Sequence, residues 1–172
     1  HGCTLLDNGS VACWGGDNNY GEMGDGDTAV HTVPELTNII GTELYATSIS
    51  VAYTSACVIL DNGSVSCWGD NRWGQIGDNT TINRFSPTQT FPFADGKKAV
   101  KITSGHRHHC ALLDDGTVSC WGWNAEGQLG DNTTNSSYVP IPTHPLGGPA
   151  IAISSNQDHT CAVIENGSVV CW

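Results

Sequence analysis

Four stretches of this chain repeat one pattern of apolar and polar positions. Cys3–Trp14 reads CTLLDNGSVACW, Cys57–Trp68 reads CVILDNGSVSCW, Cys110–Trp121 reads CALLDDGTVSCW, and Cys161–Trp172 reads CAVIENGSVVCW. In each, two short apolar, β-prone runs flank an Asn-Gly or Asp-Gly pair, a strong short-range hairpin signal. Placing Leu113 opposite Thr117 leaves the three-residue loop Asp114-Asp115-Gly116, with the glycine in the left-handed position that other residues resist. The first cysteines fall at 3, 57, 110 and 161, so the period is 54, 53 and 51 residues. A period of this size marks a propeller, solenoid or array.

The rest of each period is equally regular. A glycine-rich turn follows each tryptophan: Trp14–Asp25, Trp68–Asp78 and Trp121–Asp131, with Met23, Ile76 or Leu129 placed to plug it into the core. A polar loop leads to an extended piece marked by Pro34, Pro87 or Pro140, and proline suits an edge strand. A period-two strand then precedes the next hairpin, at Ala46–Val51, Ala99–Ser104 and Ala150–Ser155. One period therefore predicts an inner strand, two hairpin strands and an outer edge strand. The fold class is all-β: a β-propeller of four-stranded antiparallel blades, with about three and a half blades present. Residues 1–172 form one partial propeller, with repeats at about 1–43 (incomplete), 44–96, 97–147 and 148–172 (incomplete). That arrangement predicts 14 strands: strands two to four of one blade, two full blades, and strands one to three of another.

The same register sets Cys110 across from Cys120, Cys3 from Cys13, Cys57 from Cys67, and Cys161 from Cys171. This consumes all 8 cysteines in local pairs. Zinc sites favour closely spaced, convergent ligands, so four identical cross-hairpin pairs read better as disulfides. Disulfides place the chain in an oxidising space: extracellular, cell-surface or periplasmic. A net charge of -11 with only 6 Lys+Arg argues against a nucleic-acid partner. No apolar run is long enough for membrane insertion. No initiator Met or signal-peptide pattern is present, and the expectation is a segment of a longer protein.

The string from His108 to Asp131, HHCALLDDGTVSCWGWNAEGQLGD, resembles the regulator of chromosome condensation repeat, and the resemblance extends along the whole chain. It implies a seven-bladed ring, of which this chain supplies part. With its cysteine pairs, the chain is similar to a secreted or surface branch of that family rather than to its nuclear exchange factor.

Candidate functional residues divide into recurring and non-recurring ones. Trp14, Trp68, Trp121 and Trp172 recur and suit the seams between blades. His1, His108 and His159 share one repeat position, filled by Ser55 in the second hairpin, and suit strand-end hydrogen bonding. The run His106-Arg107-His108-His109 reads as a solvated surface, with a pH-sensitive or metal-adherent patch as its functional alternative. Tyr20, Trp73 and Trp123 lie on loops and do not recur at one position. With Arg72, His106 and Arg107 they are the binding candidates, because the fold does not require them. Asp25 and Asp27 offer the best start for calcium, with Asp78 and Asp131 in the equivalent acidic loops, although turn chemistry is the default reading and no metal is expected. Asn8, Asn62, Asn79, Asn132, Asn135 and Asn166 head N-x-S/T sequons, which matter only where the source glycosylates secreted proteins.

No serine elbow, HExxH, phosphate loop or lone reactive cysteine is present. The chain therefore reads as non-catalytic and free of cofactors. Its expected role is an extracellular or cell-surface module for protein or glycan binding or adhesion. The alternative is a structural building block of an appendage or filament, whose partners are neighbouring subunits or the rest of a longer parent chain. An exchange-factor-like or inhibitor role ranks below both.

Overall fold

A computed structural model describes residues 1–38 and 44–172. Its four antiparallel sheets follow one another along the chain. The first contains β1 (Gly2–Leu5), β2 (Val11–Trp14) and β3 (Glu35–Leu36). The second contains β4 (Ala46–Val51), β5 (Ser55–Leu60), β6 (Val65–Gly69) and β7 (Arg84–Gln89). The third contains β8 (Ala99–Ser104), β9 (His108–Leu113), β10 (Val118–Gly122) and β11 (Ser137–Pro142). The fourth contains β12 (Ala150–Asn156), β13 (His159–Ile164) and β14 (Val169–Cys171). The described residues thus form fourteen strands, in blades of three, four, four and three. The repeat boundary expected between residues 43 and 44 borders the undescribed stretch, and residue 43 itself lies outside the described residues.

The hairpin register is the one the turn chemistry dictates. Cys110 pairs with Cys120 and Leu112 with Val118. The Leu113 amide bonds Thr117 O at 2.9 Å, and Gly116 takes a φ of 79°. All four cysteine pairs are joined as disulfides with Cα atoms 4.1 Å apart.

The hairpin strands of the second and third blades are buried on both faces. Side chains alternate across a strand. Ala56, Val58 and Leu60 therefore pack with Val11, Cys13 and Met23 of the first blade. Cys57 and Ile59 point the other way, toward Ala99, Ala111 and Leu113 of the third. Leu112 and Cys110 continue the pattern toward Ala162 and Ile164 of the fourth. The core is thus a series of seams between blades. In each seam a tryptophan of one blade docks on the glycine-rich turn of the blade before it. Trp68 Nε1 donates to Glu22 O at 3.0 Å, Trp121 Nε1 to Gln75 O at 2.9 Å, and Trp172 Nε1 to Gln128 O at 2.9 Å.

The outer strands differ in one respect from the sequence expectation. Pro87 and Pro140 lie inside β7 and β11, where the pairing with the hairpin is bulged. Pro34, by contrast, lies just before a strand of only two residues. A bulge or an edge relieves proline of the ladder donor it lacks.

Candidate functional site

Strand direction sorts the connections to two ends of the arc. The hairpins at Asp61–Gly63 and Asp114–Gly116 lie at one end. The short turns after β4, β8 and β12 lie at the other, together with the long loops after β2, β6 and β10. Asp70 N bonds Thr54 O at 2.8 Å and Trp123 N bonds Arg107 O at 2.9 Å, so the long loops of the second and third blades are each stitched to the short turn of their own blade.

A buried asparagine holds each long loop in shape. Asn71 Oδ1 accepts from Ile76 N, while its Nδ2 donates to Asp78 Oδ1 and to the carbonyls of Thr80 and Ile82. Asn124 does the same with Leu129, Asp131, Thr133 and Asn135, and Asn18 with Met23, Asp27 and Ala29. Sequence reasoning passed over these three residues, although their recurrence inside the loop motif was the available signal. These bonds, four each from Asn71 and Asn124 and three from Asn18, make each long loop a rigid platform rather than a loose one.

On that platform the structure brings the sequence-predicted binding residues into pairs. The Arg72 guanidinium lies 4.4 Å from the centre of the Tyr20 ring, across the first seam. It is clamped there by Asp70, with Nε–Oδ1 and Nη2–Oδ2 distances of 2.9 Å each. Burial works to raise the Asp70 pKa, but the bonds from Arg72 outweigh it and hold the carboxyl below its usual range. Arg107 lies 5.6 Å over the Trp123 ring. His106 meets Tyr53 of the neighbouring blade edge-on, with ring centres 4.7 Å apart. Tyr53, 71% exposed, is a contact residue that sequence reasoning missed; its signal is that Tyr53, His106 and Gln157 stand at the tips of corresponding short turns. Trp73 is exposed beside Arg72. A cleft of ≈ 330 Å³ runs between the tips of the three inner strands, lined among others by Tyr53, Ser104, His106, Ser155 and Gln157.

The run from His106 to His109 is not one solvated patch. His106 and Arg107 are half-buried on the turn, whereas His108 and His109 are fully buried in β9. Strand alternation sends those two side chains into opposite seams. Burial pushes the pKa of His108 down to about 4 and that of His109 down to about 3. Both are neutral hydrogen-bonding groups at ordinary pH and offer no surface patch.

The acidic loop of the first blade gathers Asp25, Asp27 and His31, with His31 Nε2 2.6 Å from Asp25 Oδ2. Arg84 holds the place of His31 in the second blade and pairs with Asp78. An imidazole is a poor calcium ligand, and the Asp25–His31 contact occupies the place that the Asp78–Arg84 contact fills in the second blade. Asp131 bonds Thr133 instead. All six sequon asparagines are exposed. Asn8, Asn62 and Asn166 turn their Oδ1 onto the amide and hydroxyl of the serine two residues on, and Asp115 plays the same part toward Thr117.

Family models described as the regulator of chromosome condensation (RCC1) repeat match residues 62–112 and 115–163, and, for a second model, 99–128. The probable E3 ubiquitin-protein ligase HERC4 of Homo sapiens is 30% identical over 169 residues, which cover 96% of this chain and 16% of HERC4. Yeast RCC1 (Prp20), solved with Kap60 bound, superposes with a TM-score of 0.82 at 17% identity, covering 99% of this chain and 41% of that one. The CRINKLY WD40 ectodomain of the Arabidopsis thaliana receptor kinase ACR4 gives a TM-score of 0.60 at 23% identity, covering 99% and 46%. The chain therefore spans well under two thirds of each of these relatives.

Proposed function

The chain belongs to the regulator of chromosome condensation (RCC1) repeat family, and from that premise we propose that it is a non-catalytic, protein-binding segment of an extracellular β-propeller, with the long-loop end of the arc as its binding face. The observation that carries this reading is the set of paired aromatic and cationic side chains on that end: Tyr20 with Arg72, Tyr53 with His106, and Trp123 with Arg107. Exposed aromatics and arginines on rigid supports are the residues that dominate protein interfaces. No comparable set recurs at the hairpin end among the described residues. The loops of the first two blades carry Asp17, Glu22, Asp25, Asp27, Asp70 and Asp78 against Arg72 and Arg84, so a partner of net positive charge is favoured.

Two of the structural relatives support this direction. Yeast RCC1 was solved with a bound protein, and the ACR4 domain is an ectodomain. The four disulfides favour the same side of the membrane as that ectodomain.

A panel of purified secreted and cell-surface proteins, probed with the 172-residue chain, tests the proposal. Tyr53→Ala and Trp73→Ala should each weaken a specific binder about tenfold. Asp61→Ala, at the hairpin end, should leave that binder unaffected. A binder lost on Asp61→Ala and indifferent to both aromatic changes would overturn the assignment of the face.

A further inference from the structure

The acidic loop of the first blade departs from its counterparts at two positions, and both departures bring in a metal-ligand side chain. Aligned on the shared Gly-Asp pair, Asp25 corresponds to Asp78 and Asp131, Asp27 to Thr80 and Thr133, and His31 to Arg84 and Ser137. In the second blade the carboxylate is saturated by donors. Asp78 Oδ1 accepts from Thr80 N at 3.0 Å, from Thr80 Oγ1 at 2.7 Å and from Asn71 Nδ2 at 3.1 Å, while Oδ2 accepts from Arg84 Nε at 2.7 Å. In the first blade the hydroxyl is replaced by a second carboxylate and the guanidinium by an imidazole. Asn18 Nδ2 donates to the carbonyls of Asp27 and Ala29. Among the described residues, the hydrogen bond to Asp25 Oδ1 comes from the Asp27 amide alone, at 3.3 Å.

The three side chains converge. One ligand atom from each of Asp25, Asp27 and His31 lies within 4.8 Å of the other two. His31 Nε2 is buried and only 2.6 Å from Asp25 Oδ2, yet it has no hydrogen-bond partner. The contact is close enough for a hydrogen bond but lacks the donor alignment that one requires. A nitrogen and an oxygen that approach in this way are placed as two ligands of one ion are placed. Charge points in the same direction. The first Lys or Arg of the chain is Arg72, so histidine is the only basic side chain that the first blade itself sets against Asp25 and Asp27.

We propose that Asp25, Asp27 and His31 bind a zinc ion, with water in the fourth position. Imidazole and carboxylate ligands, three from the protein and one from solvent, are a set that zinc accepts. Calcium needs six to eight oxygens and magnesium an octahedral oxygen shell, and neither suits an imidazole. Asp27 Oδ1 is oriented by Ala29 N at 2.7 Å, as Asp25 Oδ1 is by Asp27 N, which leaves Oδ2 of each carboxylate to the metal. Ligand atoms on a tetrahedral zinc lie about 3.4 Å apart at its usual bond lengths, so the His31–Asp25 contact has to open by less than about 1 Å. The exposed Asp27 side chain is free to rotate inward. The backbone around the site is already fixed, because Gly15 N donates to His31 O at 2.7 Å and Gly26 N to Phe85 O at 2.8 Å. The ion would tie the aspartate-led turn to the segment that follows it, as the bonds from Thr80 and Arg84 do in the second blade.

The test uses the oxidised 172-residue chain, stripped of metal with a chelator, and zinc chloride. Calorimetry should show one site that saturates below about 100 µM free zinc, and NMR should show the His31 imidazole signals moving with it. Zinc should also raise the urea midpoint, since it binds the folded chain and the oxidised cysteines offer it nothing in the unfolded one. Calcium and magnesium at the same concentrations should do neither. His31→Ala and Asp27→Ala should each weaken zinc binding at least about tenfold. The double variant Asp27→Thr with His31→Arg installs the pair that the second blade already carries, so it should fold normally and lose both the zinc heat and the midpoint shift. His1→Ala should bind as the parent does, which separates this site from chelation at the amino terminus. Four results would overturn the proposal: no saturation up to about 100 µM zinc, parent-like binding by the double variant, calcium bound as tightly as zinc, or loss of the site on His1→Ala.

Discussion

His109 in the third blade bonds Ser55 in the second: its Nε2 lies 2.9 Å from Ser55 Oγ, while its Nδ1 lies 2.8 Å from Ser104 Oγ in its own blade. The next seam repeats the arrangement with the partners exchanged. His108 Nε2 meets Thr160 Oγ1 at 2.9 Å, and Thr160 meets Ser155 at 2.9 Å. In both cases the residue two before the first cysteine of one blade meets the residue one before the first cysteine of the next. In the first seam that second place is held by Ala56, and His1 Nε2 is buried without a partner. Polar pairs of this kind match particular neighbours, and a mismatched one leaves a costly buried group.

Stability should fall as the medium is acidified below the ordinary histidine range. Burial lowers the His108 pKa to about 4 and the His109 pKa to about 3 from 6.5, so the unfolded chain takes up these protons first. The loss begins near pH 6.5 and continues to the folded pKa values, at about 1.4 kcal/mol per pH unit for each histidine. Above pH 7 neither contributes to the slope. Glu22, whose burial raises its pKa, acts in the opposite sense. Comparison with His109→Gln therefore isolates the histidine. Urea denaturation between pH 5 and 7 should show a shallower pH slope in the variant, and parallel slopes would contradict the assignment.

Gly63→Val should destabilise the fold more than Gly167→Val. Both glycines have positive φ, 82° and 85°, which costs a β-branched residue roughly 1–3 kcal/mol. A Cβ at Gly63 would also strike Lys98 Cβ at 2.5 Å, whereas one at Gly167 meets nothing within 4 Å. Gly116, with Pro149 Cβ at 2.6 Å, should behave like Gly63. Thermal melts of the three variants rank them, and equal losses would mean that the seam contact carries no weight.

Trp121→Phe should cost about 1–3 kcal/mol and Trp121→Ala about 3–5 kcal/mol. The first change removes the donor to the buried Gln75 carbonyl; the second also empties the seam. Trp73→Ala, on the exposed loop, should stay within about 0.5 kcal/mol of the parent. Denaturant midpoints of the three variants decide this.

Peptide mapping without reductant should recover Cys3–Cys13, Cys57–Cys67, Cys110–Cys120 and Cys161–Cys171 and no free thiol. Opening Cys57–Cys67 with paired serines should lower stability by about 2–3 kcal/mol in the chain-entropy account. Stoichiometric zinc with all thiols reduced would contradict the pairing.

What lies within one blade was legible in the chain itself. The Asp-Gly and Asn-Gly turns set a three-residue loop, the loop sets the register, and the register sets each cysteine opposite its partner. These relations span about ten residues and follow from backbone geometry alone. The period of the cysteines extended them to the number of blades and to the inner and outer strands, because each blade repeats one solution to the same local problem.

What lies between blades was decided only by tertiary structure. Arg72 over Tyr20, His109 on Ser55 and Tyr138 on Gly74 join residues about one period apart. Their pairing is offset from strict repeat equivalence, by one position at the histidines and by a whole loop at the aromatics. Which side chain faces which depends on how the sheets turn about the axis and on which face each strand presents to its neighbour, and no local pattern encodes that rotation. This is why His108 and His109, adjacent in a polar run, enter two different seams.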